Sequence, residues 1–146
     1  MKALIQRVKH ATVTVNGEIK GKISKGILVF LGIGNNDTEK EIGYLVDKIT
    51  NLRIFEKEEK RMDLSLKDIN GDLLVISQFT LYGNTENGRR PDFINAAKPE
   101  IARNLYEKFL NECKNQGIKT ESGVFGAMMD VELINDGPVT FMIESN

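Results

Sequence analysis

Apolar and polar positions alternate with a period of two near both ends of the chain, and apolar positions recur at helical spacing in two stretches between. In Met1–Val15, Leu4, Gln6 and Val8 alternate with Ile5, Arg7 and Lys9, and Val13 and Val15 share a face, which predicts a strand. Asn16-Gly17 predicts a two-residue hairpin turn, because a type I′ turn needs positive φ at both central residues. Glu18–Ile23 returns as a polar, lysine-rich strand, and Gly26–Ile33 is an apolar run suited to a strand buried on both faces. After the turn Gly34–Asp37, Thr38 with Glu41 forms a capping box, with Asn36 and Glu39 as the competing choice. The helix that follows places Ile42, Leu45, Val46, Ile49 and Leu52 on one face. Arg53–Phe55 reads as a short strand and Glu56–Arg61 as a charged surface loop.

Leu64–Ile69 leads to the turn pair Asn70-Gly71 and then to Leu73–Leu81, read as a strand whose first four residues are pure core. Ser77, Gln78 and Thr80 end that strand with polar side chains, which need partners if buried. Either the strand runs out into a polar loop, or its end faces a ligand. Gly83–Pro91 is a loop in which Arg89 and Arg90 are candidate phosphate contacts. Pro99 opens a second helix, with Ile101, Leu105, Phe109 and Cys113 on one face and Gly117 just past its end. Ile118–Glu121 is a short strand and Ser122–Ala127 a glycine-punctuated link. Met129, Val131 and Leu133 alternate with Asp130 and Glu132. Asn135–Pro138 reads as a hairpin turn before a closing strand, Val139–Ile143. Strands dominate and hairpin links outnumber crossover helices. The predicted fold is α+β, a single domain over residues 1–146 with a curled, mostly antiparallel, barrel-like sheet and two packed helices.

Composition narrows the chemistry. The chain has 146 residues, a formal net charge of −1 and 28% charged residues, so any nucleic-acid contact must come from a local patch. One cysteine excludes an intrachain disulfide framework and a multi-cysteine zinc site. Cys113 reads as a core residue and His10, placed at a turn between two early strands, as a surface residue. No HExxH, CxxC, GxGxxG or Walker-type loop is present, which leaves metal, dinucleotide and P-loop chemistry unsupported. The absence of a signal-like stretch or a membrane-length apolar run points to a cytoplasmic location. If the chain is an enzyme, catalysis falls to backbone dipoles, hydroxyls and positioning.

Two stretches are distinctive together: Ser77-Gln78-Phe79-Thr80, and far downstream Asn135-Asp136-Gly137-Pro138-Val139-Thr140. The pair resembles the signature of the D-aminoacyl-tRNA deacylases. The resemblance runs through Gln6-Arg7-Val8, Arg53-Ile54-Phe55, Arg90-Pro91, Leu105-Tyr106 and Phe125-Gly126-Ala127. It implies a cytoplasmic homodimer that acts on the acceptor end of aminoacyl-tRNA, with no metal, no cofactor, no DNA and no membrane. The reaction it implies is hydrolysis of the ester between tRNA and a D-amino acid, or in some cases glycine. It further implies that Ser77, Gln78, Phe79 and Thr80 floor the pocket. Gly137-Pro138, cis in the family although residue physics leaves either isomer open, would enter the partner's pocket and exclude L-amino acids. Arg7 and Asn135 would support that loop, and Phe125 and Met129 would hold the terminal adenosine. A water activated by the vicinal ribose hydroxyl, with Phe79 and Thr80 N–H groups at the oxyanion, is the expected mechanism; Thr80 as nucleophile is its rival. The alternative functions are a synthetase-type editing domain, against which stands the lack of a fused synthetase segment, and a non-catalytic RNA-binding module.

Overall fold

A computed structural model describes residues 1–58 and 61–145. Among these residues eight strands and two α-helices follow in the order β1 (Lys2–Val15), β2 (Glu18–Ile23), β3 (Gly26–Gly32), α1 (Glu39–Asn51), β4 (Phe55–Glu56), β5 (Met62–Leu64), β6 (Asp72–Ser77), α2 (Pro99–Asn115), β7 (Thr120–Ser122) and β8 (Asp130–Glu144). The main sheet runs β2-β1-β3-β6-β7, and β8 pairs with the other edge of β1. It curls into a nearly closed barrel with both helices packed outside. The pairs β1–β2, β1–β3 and β1–β8 are antiparallel, while β3–β6 and β6–β7 are parallel. Parallel neighbours need a crossover, and α1 and α2 lie in those two connections.

Curling gives the sheet two cores. Ile27, Val29 and Leu31 of β3 and Leu73 and Val75 of β6 pack under the helices with Leu45, Ile49, Leu105 and Phe109. The intervening residues Leu28, Leu74 and Ile76 point into the barrel beside Val8, Val13 and Ile23. A strand buried on both faces must be apolar throughout, which is why β3 and β6 read as continuous runs. The strands approach closely where they begin: a Cβ on Gly26 would lie 1.9 Å from the Asp72 carbonyl oxygen.

Helix ends follow their sequence signals. Thr38 and Glu41 form the capping box. The Thr38 N–H and hydroxyl hold the Glu41 carboxyl below its ordinary range. Helix α2 ends in a Schellman motif: Gly117, at φ +79°, donates to the Lys114 carbonyl, and Ile118 donates to that of Cys113.

Several expectations are corrected. Ile101 is 49% exposed, and Ala102, Leu105, Tyr106, Phe109 and Cys113 form the buried face of α2 instead. His10 is exposed, as expected, but sits within β1, next to a bulge at Lys9. The short strand expected at Arg53–Phe55 is Phe55–Glu56, and it pairs with an unforeseen β5. Within the Glu56–Arg61 loop, Glu59 and Lys60 lie outside the described residues. The strand read as Leu73–Leu81 stops at Ser77, and Phe79–Tyr82 forms a 3-10 turn. Asn135–Pro138 is not a hairpin turn, because β8 runs through it as one strand.

Candidate active site

The parallel strands β3 and β6 end side by side, with Leu31 opposite Ser77. The Gln78 N–H extends the ladder by one bond, to the Leu31 carbonyl at 2.8 Å. The chain then turns sharply. Gly32 makes room for this, since a Cβ there would stand 3.1 Å from both the Gln78 carbonyl oxygen and Leu81 Cβ. Behind the turn, the Asp37 carboxylate accepts from the Gly34 N–H at 2.6 Å and from the Tyr82 hydroxyl at 3.4 Å. Burial and the neighbouring Asp37 raise the Tyr82 phenol well above its ordinary value, so it stays a neutral donor.

A cleft of about 840 Å³ opens at these strand ends. Its floor includes Ser77, Gln78, Phe79 and Thr80, and Lys98, which caps α2, forms one side with the helix's first residues, among them Ala102. The link with Phe125, Met128 and Met129 forms another side. The Gln78 side-chain amide donates to the Thr80 hydroxyl. The Phe79 and Thr80 N–H groups open a helical turn, so they have no acceptor within it, and neither has another backbone partner among the described residues. No histidine or carboxylate lines the cleft among the described residues. Nor do three or more His, Cys, Asp or Glu side chains among them converge as a metal site.

Phe125 is held from two sides. Its ring lies 5.8 Å from that of Tyr106 and 4.9 Å from the Arg103 guanidinium carbon. The buried Tyr106 hydroxyl donates to the Val75 carbonyl at 2.7 Å, and burial pushes this phenol up to about 12. Across the cleft, Phe79 packs edge-on against Phe93 at 5.0 Å. Met129 is seated against Gly123, where a Cβ would stand 2.5 Å from the Met129 sulfur.

The remaining expected site residues form a second cluster, on β1 and β8. Gln6 pairs with Thr140 and Val8 with Asn135, so Arg7 alone opposes the four residues Asp136–Val139. Exposed Gly137 and Pro138 stand out as an enlarged bulge, while Val139 returns to the core, and the Gly137-Pro138 bond is cis. Asn135 closes its base, donating through Nδ2 to the Arg7 carbonyl at 3.0 Å and the Val139 carbonyl at 3.1 Å. Arg7 is 3% exposed. Its guanidinium donates to the carbonyls of Ile54 at 2.7 Å and Asp136 at 3.2 Å, and pairs with the Asp136 carboxylate at 3.1 Å. The structure thus brings Ser77, Gln78, Phe79, Thr80, Phe125 and Met129 to one cleft, while Gly137 and Pro138 are absent from its lining. Arg7 is level with Ile27 and Leu73, four residues before Ser77, or about 13 Å along the strands.

Sequence reasoning assigned no site role to Phe93, Lys98, Arg103 or Tyr106. Tyr106 stands in a helical apolar stripe, and periodicity cannot separate a core tyrosine from one that steadies a ligand platform.

Comparison with known proteins follows this geometry. The family model described as D-Tyr-tRNA(Tyr) deacylase matches residues 4–144. A D-aminoacyl-tRNA deacylase of Halothermothrix orenii is 59% identical over 146 residues, covering 100% of this chain and 98% of that protein. The one from Thermosipho africanus is 56% identical over 145 residues, covering 99% and 97%. A solved structure of the c-Myc DNA unwinding element binding protein has a TM-score of 0.94 at 43% identity, covering 100% of this chain and 99% of that one. Another, of a probable eukaryotic D-amino acid tRNA deacylase, has a TM-score of 0.85 at 17% identity with 97% of each chain covered, and bears on the fold alone. With a family match across nearly its full length and relatives more than half identical to it, the chain belongs to the D-Tyr-tRNA(Tyr) deacylase family.

Proposed function

We propose that this chain, acting as one domain over residues 1–146, hydrolyses the ester between a D-amino acid, or glycine, and the terminal ribose of tRNA. The observation that carries the reading is the equipment of the cleft among the described residues: two N–H groups without backbone acceptors, at Phe79 and Thr80, and no lining histidine or carboxylate. Ester hydrolysis builds negative charge on the carbonyl oxygen, and preorganised N–H groups stabilise that charge. The floor offers no base to activate Thr80, whose hydroxyl accepts from Gln78. Water activation therefore falls to the vicinal hydroxyl of the substrate's own ribose. Phe125 and Met129 hold the terminal adenosine.

The reading extends to a homodimer. Among the described residues β8 pairs with β1 alone and exposes Ile134, Phe141 and Met142, an edge that a second copy would cover. Gly137 and Pro138, outside their own cleft, then reach the partner's. Held by Arg7 and Asn135, the bulge acts there as a wall beside Cα. It admits hydrogen and rejects a carbon substituent, so D-amino acids and glycine pass while L-amino acids are refused. A cytoplasmic location follows from the substrate; among the described residues no helix is long and apolar enough to cross a membrane.

The test is hydrolysis of matched D- and L-aminoacyl-tRNA, with glycyl-tRNA as a third substrate. The expected result is release from the D- and glycyl forms only. Equal hydrolysis of the L-form removes the chiral reading, and hydrolysis of none removes the catalytic one.

A further inference from the structure

We propose that Lys98 and Arg103 form a phosphate-binding rim at the mouth of the cleft, which takes the single-stranded 3′ end of tRNA just upstream of the terminal nucleoside. The inference rests on the substrate reading above and on Phe125 as the nucleoside platform.

Both cations are exposed, five residues apart at the start of α2, and Lys98 lines the cleft itself. Neither forms an ion pair or donates a hydrogen bond among the described residues. Many surface lysines and arginines are likewise outside any ion pair, and what sets these two apart is their place: Lys98 in the cleft lining and Arg103 against Phe125, which lines it too. Glu100 and Glu107 stand at i−3 and i+4 from Arg103, where helical ion pairs form, yet neither engages it. Arg103 lies over a ring instead, its guanidinium carbon 4.9 Å from the Phe125 centroid. This cation–π contact restrains the side chain while leaving its N–H donors unused, so a phosphate can be bound at reduced ordering cost.

The rest of the mouth suits the same occupant. Phe79 is 57% exposed and Met128 92% exposed, and both line the cleft. Apolar and aromatic faces beside free cations are what a single strand uses, through base stacking and backbone contact. Among the described residues Lys98 is the one charged side chain in the cleft lining, and Arg103 adjoins that lining through Phe125, which puts two cations at the mouth of a cleft otherwise lined by neutral side chains.

The experiment compares two substrates on the full chain: D-aminoacyl-tRNA, and 3′-D-aminoacyl-adenosine, which carries the ester and nucleoside but no phosphate. The variants are K98Q, R103Q, their double and R103K. For the double variant, KM on tRNA should rise about tenfold with kcat within about twofold, and the tRNA-to-nucleoside ratio of kcat/KM should fall about tenfold. The plot of log KM against log salt should become shallower by about 0.7 for each single variant and about 1.4 for the double, at about 0.7 per phosphate contact on a single strand. R103K should recover most of that slope. The rim is overturned by losses equal on both substrates, which would leave Arg103 a support for Phe125 alone, or by an unchanged salt slope. Hydrolysis of neither substrate by the unmodified protein overturns the substrate reading and the rim with it; failure of the rim alone leaves that hydrolysis intact.

Discussion

Thr80 faces the cleft with its hydroxyl occupied by Gln78, and no lining residue is placed to take its proton. A hydroxyl at its ordinary pKa is a poor nucleophile. Thr80→Ala is therefore expected to keep kcat within about tenfold of the unmodified protein, whereas replacing the terminal 2′-hydroxyl of the tRNA by hydrogen should cost at least about 100-fold, the scale of lost acid–base assistance. A Thr80→Ala loss of several orders of magnitude with binding intact would reinstate the nucleophile. Cys113 and Tyr106 make a second residue-scale case. Burial pushes both up to about 12, the thiol from an ordinary value of about 9 and the phenol from about 10. Their folded-state values lie above the unfolded ones, so their contribution is complete below about pH 9 and is lost as pH rises towards 12. Urea midpoints should hold from pH 7 to 8.5 and then fall. Cys113→Ala, though less stable throughout, should show a shallower alkaline limb. Cys113 was legible as core because its helical spacing matches Leu105 and Phe109. Ile101 was misread from the same spacing, because one apolar residue at the first turn of a helix can fall just outside the packed stripe.

At the scale of elements, the bulge between β1 and β8 depends on one buried arginine with several acceptors. Lysine carries the charge but not the fork that reaches Ile54 and Asp136 together. Arg7→Lys should cost about 2–3 kcal/mol in urea unfolding, the scale of losing charged hydrogen bonds from a buried site. It should also relax the discrimination between D- and L-aminoacyl-tRNA; unchanged discrimination would detach Arg7 from the filter. The sequence displayed this element only in part. Asn135-Asp136-Gly137-Pro138 has the composition of a turn, and composition does not distinguish a reversal of direction from an excursion within one strand. The deciding fact, four residues opposite one, is a property of the pairing. The 3-10 turn after Ser77 escaped for a similar reason. Phe79, Leu81 and Tyr82 suit a strand locally, and the turn forms because Gly32 and Gly34 let it fold back over β3. The capping box and the Asn16-Gly17 turn were read correctly because each is complete within four residues.

For the whole molecule, the two groups of proposed site residues are separate, since Gly137 and Pro138 do not line their own cleft, and the proposed second copy unites them. Light scattering of active protein at micromolar concentration should give twice the mass of a 16.4 kDa chain; a monomer would leave the bulge with no pocket to enter. The barrel class and the two helices were legible from the strand-rich order of periodicities. The parallel pairings were not, because local pattern does not record which strand lies beside which. The break in β8 also bears on solubility. A strand of 15 residues with one unpaired edge and exposed Ile134, Phe141 and Met142 would, if regular, be a template for indefinite edge-to-edge stacking. The excursion at Asp136–Val139 interrupts the row of donors and acceptors, and Pro138 brings no N–H to it. An incoming strand can register with Asp130–Asn135 or with Thr140–Glu144, but not continuously with both, so the edge favours a finite, shape-matched partner over a fibre.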